Sequence, residues 1–202
     1  MKYFFKIFFI IVLFSSYCVK ADEVSNWLKG EIDTILDSYK NPSLSNFKRF
    51  ELIEKTINNN FAGTGIAKFV AGESWQNASK VEKKDYIRLF KRHLALNIAS
   101  LMQGYSDQNY ELTNSKYDSK NKVSLIDMKI INETGNLLVT WRVKKSKNRN
   151  YVIDLIVADI SLVVTKRSEF NSMLKKVNYN LLEFNKILDA QNESSYSIII
   201  GN

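Results

Sequence analysis

The sequence has 202 residues, of which 45% are hydrophobic and 25% are charged, and these proportions exclude a globally disordered chain. A single proline and seven glycines leave no stretch that resembles a flexible linker, so the length suits one domain. The net charge of +8 at pH 7 is compatible with anionic surfaces or acidic partners, but it does not by itself indicate nucleic-acid binding.

The amino-terminal segment has the pattern of a secretory signal peptide. Two lysines precede an apolar run centred on residues 8–14, and a polar stretch follows. Val19 and Ala21 occupy the small positions that a signal peptidase reads, which predicts residues 1–21 as the signal and cleavage before Asp22. Because the apolar run is shorter than the roughly 20 residues that a bilayer-spanning helix needs, we expect an exported protein rather than an anchored one.

Cys18, the only cysteine, lies within the predicted signal. The mature chain, residues 22–202, would therefore hold no disulfide, thiolate metal site or cysteine nucleophile. Cleavage also removes three lysines and no acid, which lowers the net charge from +8 to +5. His93 is the only histidine, and the sequence has no metal-ligand cluster and no phosphate-binding glycine loop. We predict neither metal nor cofactor and expect His93 to be structural or solvated rather than catalytic.

The first part of the mature chain reads as helical. Apolar residues spaced three and four apart predict an amphipathic helix over about 22–40, a second after Pro42 and a short third. Ser79 is a good helix cap, and Glu82 completes a capping box that opens a long fourth helix. This helical part ends at about residue 105.

The period then changes to two, which predicts a sheet over about 109–163. The expected strands lie near residues 110–117, 123–132, 137–143 and 151–163, with turns at 133–136 and 145–150. A last helical pattern covers about 166–190. Helices followed by a four-stranded meander and further helices indicate an α+β fold, with helices on one face of an antiparallel sheet.

Alternation divides the strands into two faces. One face is expected to be almost wholly apolar, and the other carries Thr140, Arg142 and Asp154 with Val152 and Ile156. The apolar face comprises Ile126, Met128, Ile130, Val139, Trp141, Val143, Ile153, Leu155 and Val157. These side chains either pack as an ordinary core or line a ligand cavity, and the periodicity does not distinguish the two.

Two stretches carry a recognisable combination of residues. FVAGESWQNASKVEKKDYIRLFKRHLALNIASLMQGY, residues 69–105, places a glycine and a tryptophan before a serine-led helix with apolar residues at helical spacing. DLIVADISLVVTKRSEF, residues 154–170, places an aspartate strand before a serine–leucine element and an arginine–serine helix start. The residues concerned are Gly72, Trp75, Ser79, Phe90, Leu94, Asp154, Ser161, Leu162, Arg167, Ser168 and Phe170. In this order the pattern resembles the MlaC family of periplasmic phospholipid-binding proteins, although Asp159 stands where that family usually has glycine.

The resemblance implies a monomeric periplasmic carrier with an NTF2-like sheet and a helical layer that enclose the acyl chains of a phospholipid. Such a carrier would shuttle lipid between an outer-membrane lipoprotein–porin complex and an inner-membrane MCE–ABC transporter, and so maintain outer-membrane lipid asymmetry. Its pocket would be lined by the nine apolar sheet residues together with Phe69, Trp75, Phe90, Leu94, Ile98 and Leu101.

Two other functions remain open at this stage. An NTF2-like enzyme would use Asp154 as its base, whereas a structural Asp154 would pair with Arg142 or a backbone N–H. A lipid-free adaptor would need the nine apolar side chains to pack solidly. Because the sequence lacks a nucleophile elbow and a second histidine, we favour the carrier over either alternative.

Overall fold

The computed structural model describes residues 23–104, 108–132 and 135–201. The predicted signal peptide, residues 1–21, lies outside these ranges, as do residues 133–134 of the predicted turn at 133–136. Within the described ranges, no helix combines the length and the apolar character needed to cross a membrane.

Five helices come first. They are α1 (residues 23–40), α2 (Asn46–Asn60), α3 (Gly63–Ala71), α4 (Ser74–Asn77) and α5 (Lys80–Met102). The predicted capping box of the long helix α5 is confirmed. The Ser79 hydroxyl accepts from the Glu82 backbone N–H at 3.2 Å, and the Glu82 carboxylate accepts from the Ser79 N–H at 2.6 Å. The backbone N–H groups of Ser79 and Glu82 at the start of α5 are thus both hydrogen-bonded, each to the side chain of the other residue.

The chain then forms an antiparallel sheet in the order β1-β2-β3-β4-β5, followed by two helices. The elements are β1 (Asn109–Asp118), β2 (Val123–Asn132), β3 (Gly135–Ser146), β4 (Arg149–Val157), β5 (Ile160–Ser161), α6 (Leu162–Lys176) and α7 (Leu181–Gly201). The predicted α+β class is confirmed, with a short fifth strand added. Helix α7 continues past residue 190, where the sequence pattern predicted an end.

The strand predicted over residues 151–163 is too long. Strand β4 ends at Val157, where Ala158 and Asp159 take positive φ angles of 47° and 64° and turn the chain back into β5. The side chain of Ser161 then accepts from the Val164 N–H at 3.1 Å and caps α6. The apolar residues after Ser161 therefore belong to the first turn of a helix, not to the strand.

Helices α5 and α7 pack side by side and run parallel. The Asn185 side chain donates to the Glu82 carbonyl at 3.1 Å, and the Asn192 side chain donates to the Leu89 carbonyl at 3.0 Å. The two contacts advance by the same seven residues on each helix, which fixes both direction and register.

The buried apolar residues fall into three clusters. Two lie among the helices, one around α3, α5, α6 and α7 and the other between α2, α5 and α7. The third lies between α1 and the sheet. Phe61 packs against all three. It forms an isolated parallel bridge with Val152, and the Ala62 N–H donates to the Val152 carbonyl at 2.9 Å. Phe61 thus links the cluster on the sheet to both clusters among the helices.

Candidate functional site

The apolar face of the sheet is built by three central strands in register. Ile126 lies opposite Trp141, which lies opposite Leu155. Met128, Val139 and Val157 form the next row in the same way. Since residues two apart on a strand share a side, these rows form one surface. We call it the inner face, and it comprises Ile126, Met128, Ile130, Val139, Trp141, Val143, Val152, Leu155 and Val157.

The inner face differs from the sequence prediction at two neighbouring residues of β4, Val152 and Ile153. Between the pairs Arg142–Asp154 and Val143–Val152 the register shifts, so Ile153 is the extra residue of a β-bulge. The bulge reverses the alternation towards the start of β4. Val152, predicted on the opposite face, is buried with Val143 on the inner face, and Ile153 is not part of this cluster. Simple period-two reading fails here because it assumes an unbroken ladder.

Helix α1 covers much of the inner face. Its buried residues Val24, Leu28 and Ile32 pack against Ile126 and Val139, and Trp27 and Leu36 pack around them. Burial of each aliphatic side chain contributes about 1.5–3 kcal/mol, so these three contribute roughly 5–9 kcal/mol. The contact between α1 and the sheet is therefore strong and almost entirely apolar.

Polar contacts also tie α1 to the strands, and one of them places Lys29 5.8 Å from the Tyr110 ring centre. Near its start, Lys145 lies 3.1 Å from the exposed carboxylate of Glu23. Farther along, the Tyr110 hydroxyl donates to Asp33 at 2.5 Å. Hydrogen bonds from Lys29 and Tyr110 lower the pKa of the Asp33 carboxyl, so the acceptor stays ionised at neutral pH. The helix thus crosses the sheet from the β3–β4 turn to the start of β1.

At its other end α1 is held by α2. The Arg49 guanidinium donates to the Ser38 carbonyl at 3.1 Å and to the Asn41 carbonyl at 3.0 Å, and it lies 5.3 Å from the Tyr39 ring centre. A guanidinium that caps the last carbonyls of a helix and stacks on its aromatic residue fixes that end.

The inner face continues to an exposed end of the sheet. Beyond the Met128–Val139 row, Ile130 pairs with Leu137, and Val157 pairs with Ile160. Leu137 is 39% exposed and Ile160 is 60% exposed. One apolar surface therefore runs from the buried centre of the sheet to solvent, which is typical of a ligand entrance or an interaction surface.

The structure divides the fifteen residues predicted to line a pocket. Eight of the nine on the strands lie together on the inner face, Ile153 being the exception. The six on the helices are not members of this cluster. Phe90 is fully buried among helices, Trp75 and Leu94 pack beside it, Ile98 packs between α2 and α5, and Phe69 and Leu101 are exposed.

Sequence reasoning did not assign α1 or Phe61 to the site. The stripe of Val24, Leu28 and Ile32 was visible as an amphipathic face of α1, but nothing in its spacing indicates which surface it covers. Phe61 stands alone between two helices and belongs to no periodic pattern. These residues, with Val152, complete the set around the inner face.

Asp154 is buried and fully engaged. Its carboxylate accepts from the Ser161 hydroxyl at 2.7 Å, from the Val163 backbone N–H at 3.1 Å and from Arg142 at 3.3 Å. The negative charge therefore lies at the amino terminus of α6, where the helix dipole favours it. Both pairings expected of a structural aspartate are present.

A second group of motif residues joins α6 to α3. Arg167 donates to the Phe69 carbonyl at 2.7 Å and lies 4.5 Å from the Phe69 ring centre. Gly72 follows α3 with a φ of 56°, and a Cβ there would approach Arg167 to 3.6 Å. Gly72 thus ends α3, and Arg167 holds the end of α3 against α6.

His93 contacts the Phe170 ring at a centroid distance of 5.3 Å. Burial, with a smaller effect of Lys166, lowers its pKa to about 4, so the imidazole is neutral at pH 7. Within the described part of the chain, no three His, Cys, Asp or Glu side chains come together as metal ligands.

A cleft of about 610 Å³ lies between α2, α5 and α7. It contains none of the fifteen predicted residues. Lysine, arginine and acidic side chains of α5 contribute to its lining, whereas apolar atoms form most of its surface. Its lining is Asn58, Val81, Glu82, Lys84, Asp85, Ile87, Arg88, Lys91, Leu182 and Asn185.

Comparisons with known proteins agree with this architecture. A structure of a phospholipid-binding protein from Ralstonia solanacearum in complex with a phospholipid superimposes with a TM-score of 0.72. The alignment covers 84% of this chain and 96% of that protein at 18% sequence identity, and it confirms the α+β, NTF2-like fold. No curated protein sequence matches the chain. The family model described as MlaC protein matches residues 29–186, which is most of the sequence, and the protein therefore belongs to the MlaC family.

Proposed function

We propose that the protein is a periplasmic phospholipid carrier that holds acyl chains against the inner face of its sheet. The observation that carries this proposal is the continuous apolar surface from buried Ile126 to exposed Leu137 and Ile160. Membership of the MlaC family and the phospholipid bound by the Ralstonia solanacearum neighbour support the same ligand class.

Apolar contact alone gives enough affinity for such a carrier. Burying a methylene group contributes about 0.8 kcal/mol, so about ten buried methylenes give ~8 kcal/mol. That free energy corresponds to a micromolar dissociation constant. No covalent step or cofactor is needed, and selectivity would depend on the acyl chains more than on the head group.

The geometry of Asp154 supports a binding protein rather than an enzyme. A general base must have an oxygen available for the proton that it removes from a substrate. The Asp154 carboxylate instead accepts from Ser161, Val163 and Arg142 and is only 4% exposed. We therefore assign it to the start of α6 and assign no catalytic residue.

The first experiment is native mass spectrometry of the protein purified from a periplasmic extract without detergent. We expect a species heavier than the bare chain by one phospholipid, which would also identify the lipid class. A bare mass, with no lipid uptake from vesicles afterwards, would overturn the carrier and favour the lipid-free adaptor.

Two substitutions locate the lipid. Leu155→Glu and Val139→Glu each place a charge on the inner face, and lipid retention should be lost because a carboxylate is costly beside acyl chains. Ile156→Glu is the matched control, since Ile156 is the next residue on β4 and pairs with Thr140 on the opposite face. Thermal unfolding checks that each variant folds, and Leu155→Ala is a milder variant if the charge prevents folding. Folded Glu variants that still carry lipid would show that the site lies elsewhere.

The place of the carrier in transport is also a proposal. Lipid would pass between an outer-membrane lipoprotein–porin complex and an inner-membrane MCE–ABC transporter, and this exchange would maintain outer-membrane lipid asymmetry. Transfer of a fluorescent phospholipid from the loaded protein to proteoliposomes that contain such a transporter tests it. Transfer to empty liposomes at the same rate would contradict a specific docking step.

A further inference from the structure

Helix α1 and a bound lipid would need the same surface. Val24, Leu28 and Ile32 of α1 are buried in one cluster with Ile126 and Val139 of the inner face. An acyl chain that enters along Leu137 and Ile160 meets these side chains within two rows of the sheet. Protein interiors are close-packed, so a chain cannot be added beside α1 without moving it.

The attachments of α1 differ between its two ends. The end near residue 40 is held by Arg49 through two hydrogen bonds to backbone carbonyls and by stacking on Tyr39. The rest of the helix contacts the sheet through apolar side chains. Its polar contacts with the strands include those of Glu23 with Lys145 and of Asp33 with Tyr110, and Lys29 lies 5.8 Å from the Tyr110 ring centre.

We infer that α1 is a displaceable cover of the lipid site, which swings away from the inner face about its Arg49-anchored end when acyl chains enter. The inference rests on the proposed function and adds how access to that site is controlled. Apolar contacts suit such a cover because they have no directional requirement, and the lipid replaces them with contacts of the same kind.

A reversible tether tests the inference. In a full chain with Cys18→Ser, the pair Asp33→Cys and Tyr110→Cys is joined by a bis-methanethiosulfonate reagent, whose links dithiothreitol cuts. The matched control is Arg88→Cys with Asp189→Cys, which joins α5 to α7 at an exposed pair of side chains 3.9 Å apart. Uptake of a fluorescent phosphatidylcholine from vesicles is then measured for both proteins before and after reduction.

We expect the α1 tether to lower the uptake rate at least tenfold, with recovery after reduction, and the control tether to leave the rate unchanged. Wild-type uptake by the tethered protein would overturn the inference. If the untethered and wild-type chains also take up no lipid, the proposed carrier function itself is wrong, and not only the inference about α1.

A second variant tests the inference without a cross-linking reagent. Tyr110→Phe removes the hydroxyl that donates to Asp33 and keeps the ring. The Asp33 carboxylate is 37% exposed and regains water when this hydrogen bond is lost, so the loss should favour the displaced helix and speed uptake by only about two- to tenfold. In a chain with Trp75→Phe and Trp141→Phe, emission from Trp27 on α1 should shift to the red as lipid enters, because the indole leaves the inner face. Unchanged uptake together with unchanged Trp27 emission would contradict movement of α1.

Discussion

Asp154 allows a decisive test of whether the motif aspartate is structural or catalytic. Its carboxylate is 4% exposed and accepts from Ser161, Val163 and Arg142 at the start of α6. Asp154→Ala removes two hydrogen bonds to a charged group inside the protein, each worth about 1.5–3 kcal/mol. It also removes a negative charge from a helix amino terminus, worth about 0.3–1 kcal/mol.

The contribution of the ion pair is smaller. The Arg142 side chain is 37% exposed and can regain water when its partner is lost, so this contact adds at most about 1 kcal/mol. We therefore expect Asp154→Ala to lower the free energy of unfolding by about 3–8 kcal/mol, a large fraction of the 5–15 kcal/mol typical of a domain. Asp154→Asn keeps one acceptor but loses the charge, and it should cost about half as much.

Urea denaturation of the purified variants measures these values. Asp189→Ala is the control, because Asp189 is an exposed residue of α7 whose contact with Arg88 is long, and its cost should stay below about 0.5 kcal/mol. A double-mutant cycle of Asp154→Ala with Ser161→Ala should show coupling of about 1 kcal/mol or more. If Asp154→Ala unfolds within 1 kcal/mol of the wild type, the structural role is refuted. A strained catalytic carboxylate, whose removal often stabilises an enzyme, would then be the better explanation.

Two further predictions concern pH and backbone strain. Because burial and Lys166 lower the pKa of His93 to about 4, the unfolded chain binds a proton between pH 6.5 and 4 that the folded chain does not. Stability should therefore fall as the pH drops through this window, by up to about 3 kcal/mol, and urea denaturation at pH 7 and pH 4 should show a smaller loss for His93→Gln. Ala158→Gly should raise stability by about 1 kcal/mol because φ at this position is 47°. Ala190→Gly, at an exposed position of α7, should lower the free energy of unfolding by a similar amount. If both glycine substitutions change stability in the same direction, the backbone at Ala158 is not strained.

The sequence predicts local structure well where a local rule decides it. The capping box of Ser79 and Glu82 is a local contact, and it is present as expected. The same rules fail where a single residue breaks the period, as at the Ile153 bulge, or where an apolar run passes from strand to helix, as after Ser161. The bulge and the change from strand to helix both leave the apolar stretch of sequence as apolar as before. A pattern of apolar residues therefore cannot reveal either of them.

For the candidate site, the sequence predicted most of the apolar residues of the sheet but not the helix that covers them. Periodicity identifies the apolar side of each element but not the element that covers it. Phe90 and Leu94 have the right spacing and chemistry for a lipid pocket, yet α6 and α7 bury the stripe to which they belong. The stripe of α1, which resembles that of any surface helix, covers the inner face instead. The pairing of apolar surfaces is a property of the whole fold.

The motif residues and the inner face have separate tasks. Asp154 and Arg167 fix the start and the side of α6 through polar contacts. The inner face and α1 meet through apolar contacts worth roughly 5–9 kcal/mol, close to the ~8 kcal/mol that about ten lipid methylenes would contribute. An exchange between two such similar terms is nearly balanced. In the proposed carrier, small changes in the surroundings of α1 would therefore favour loading or release of lipid.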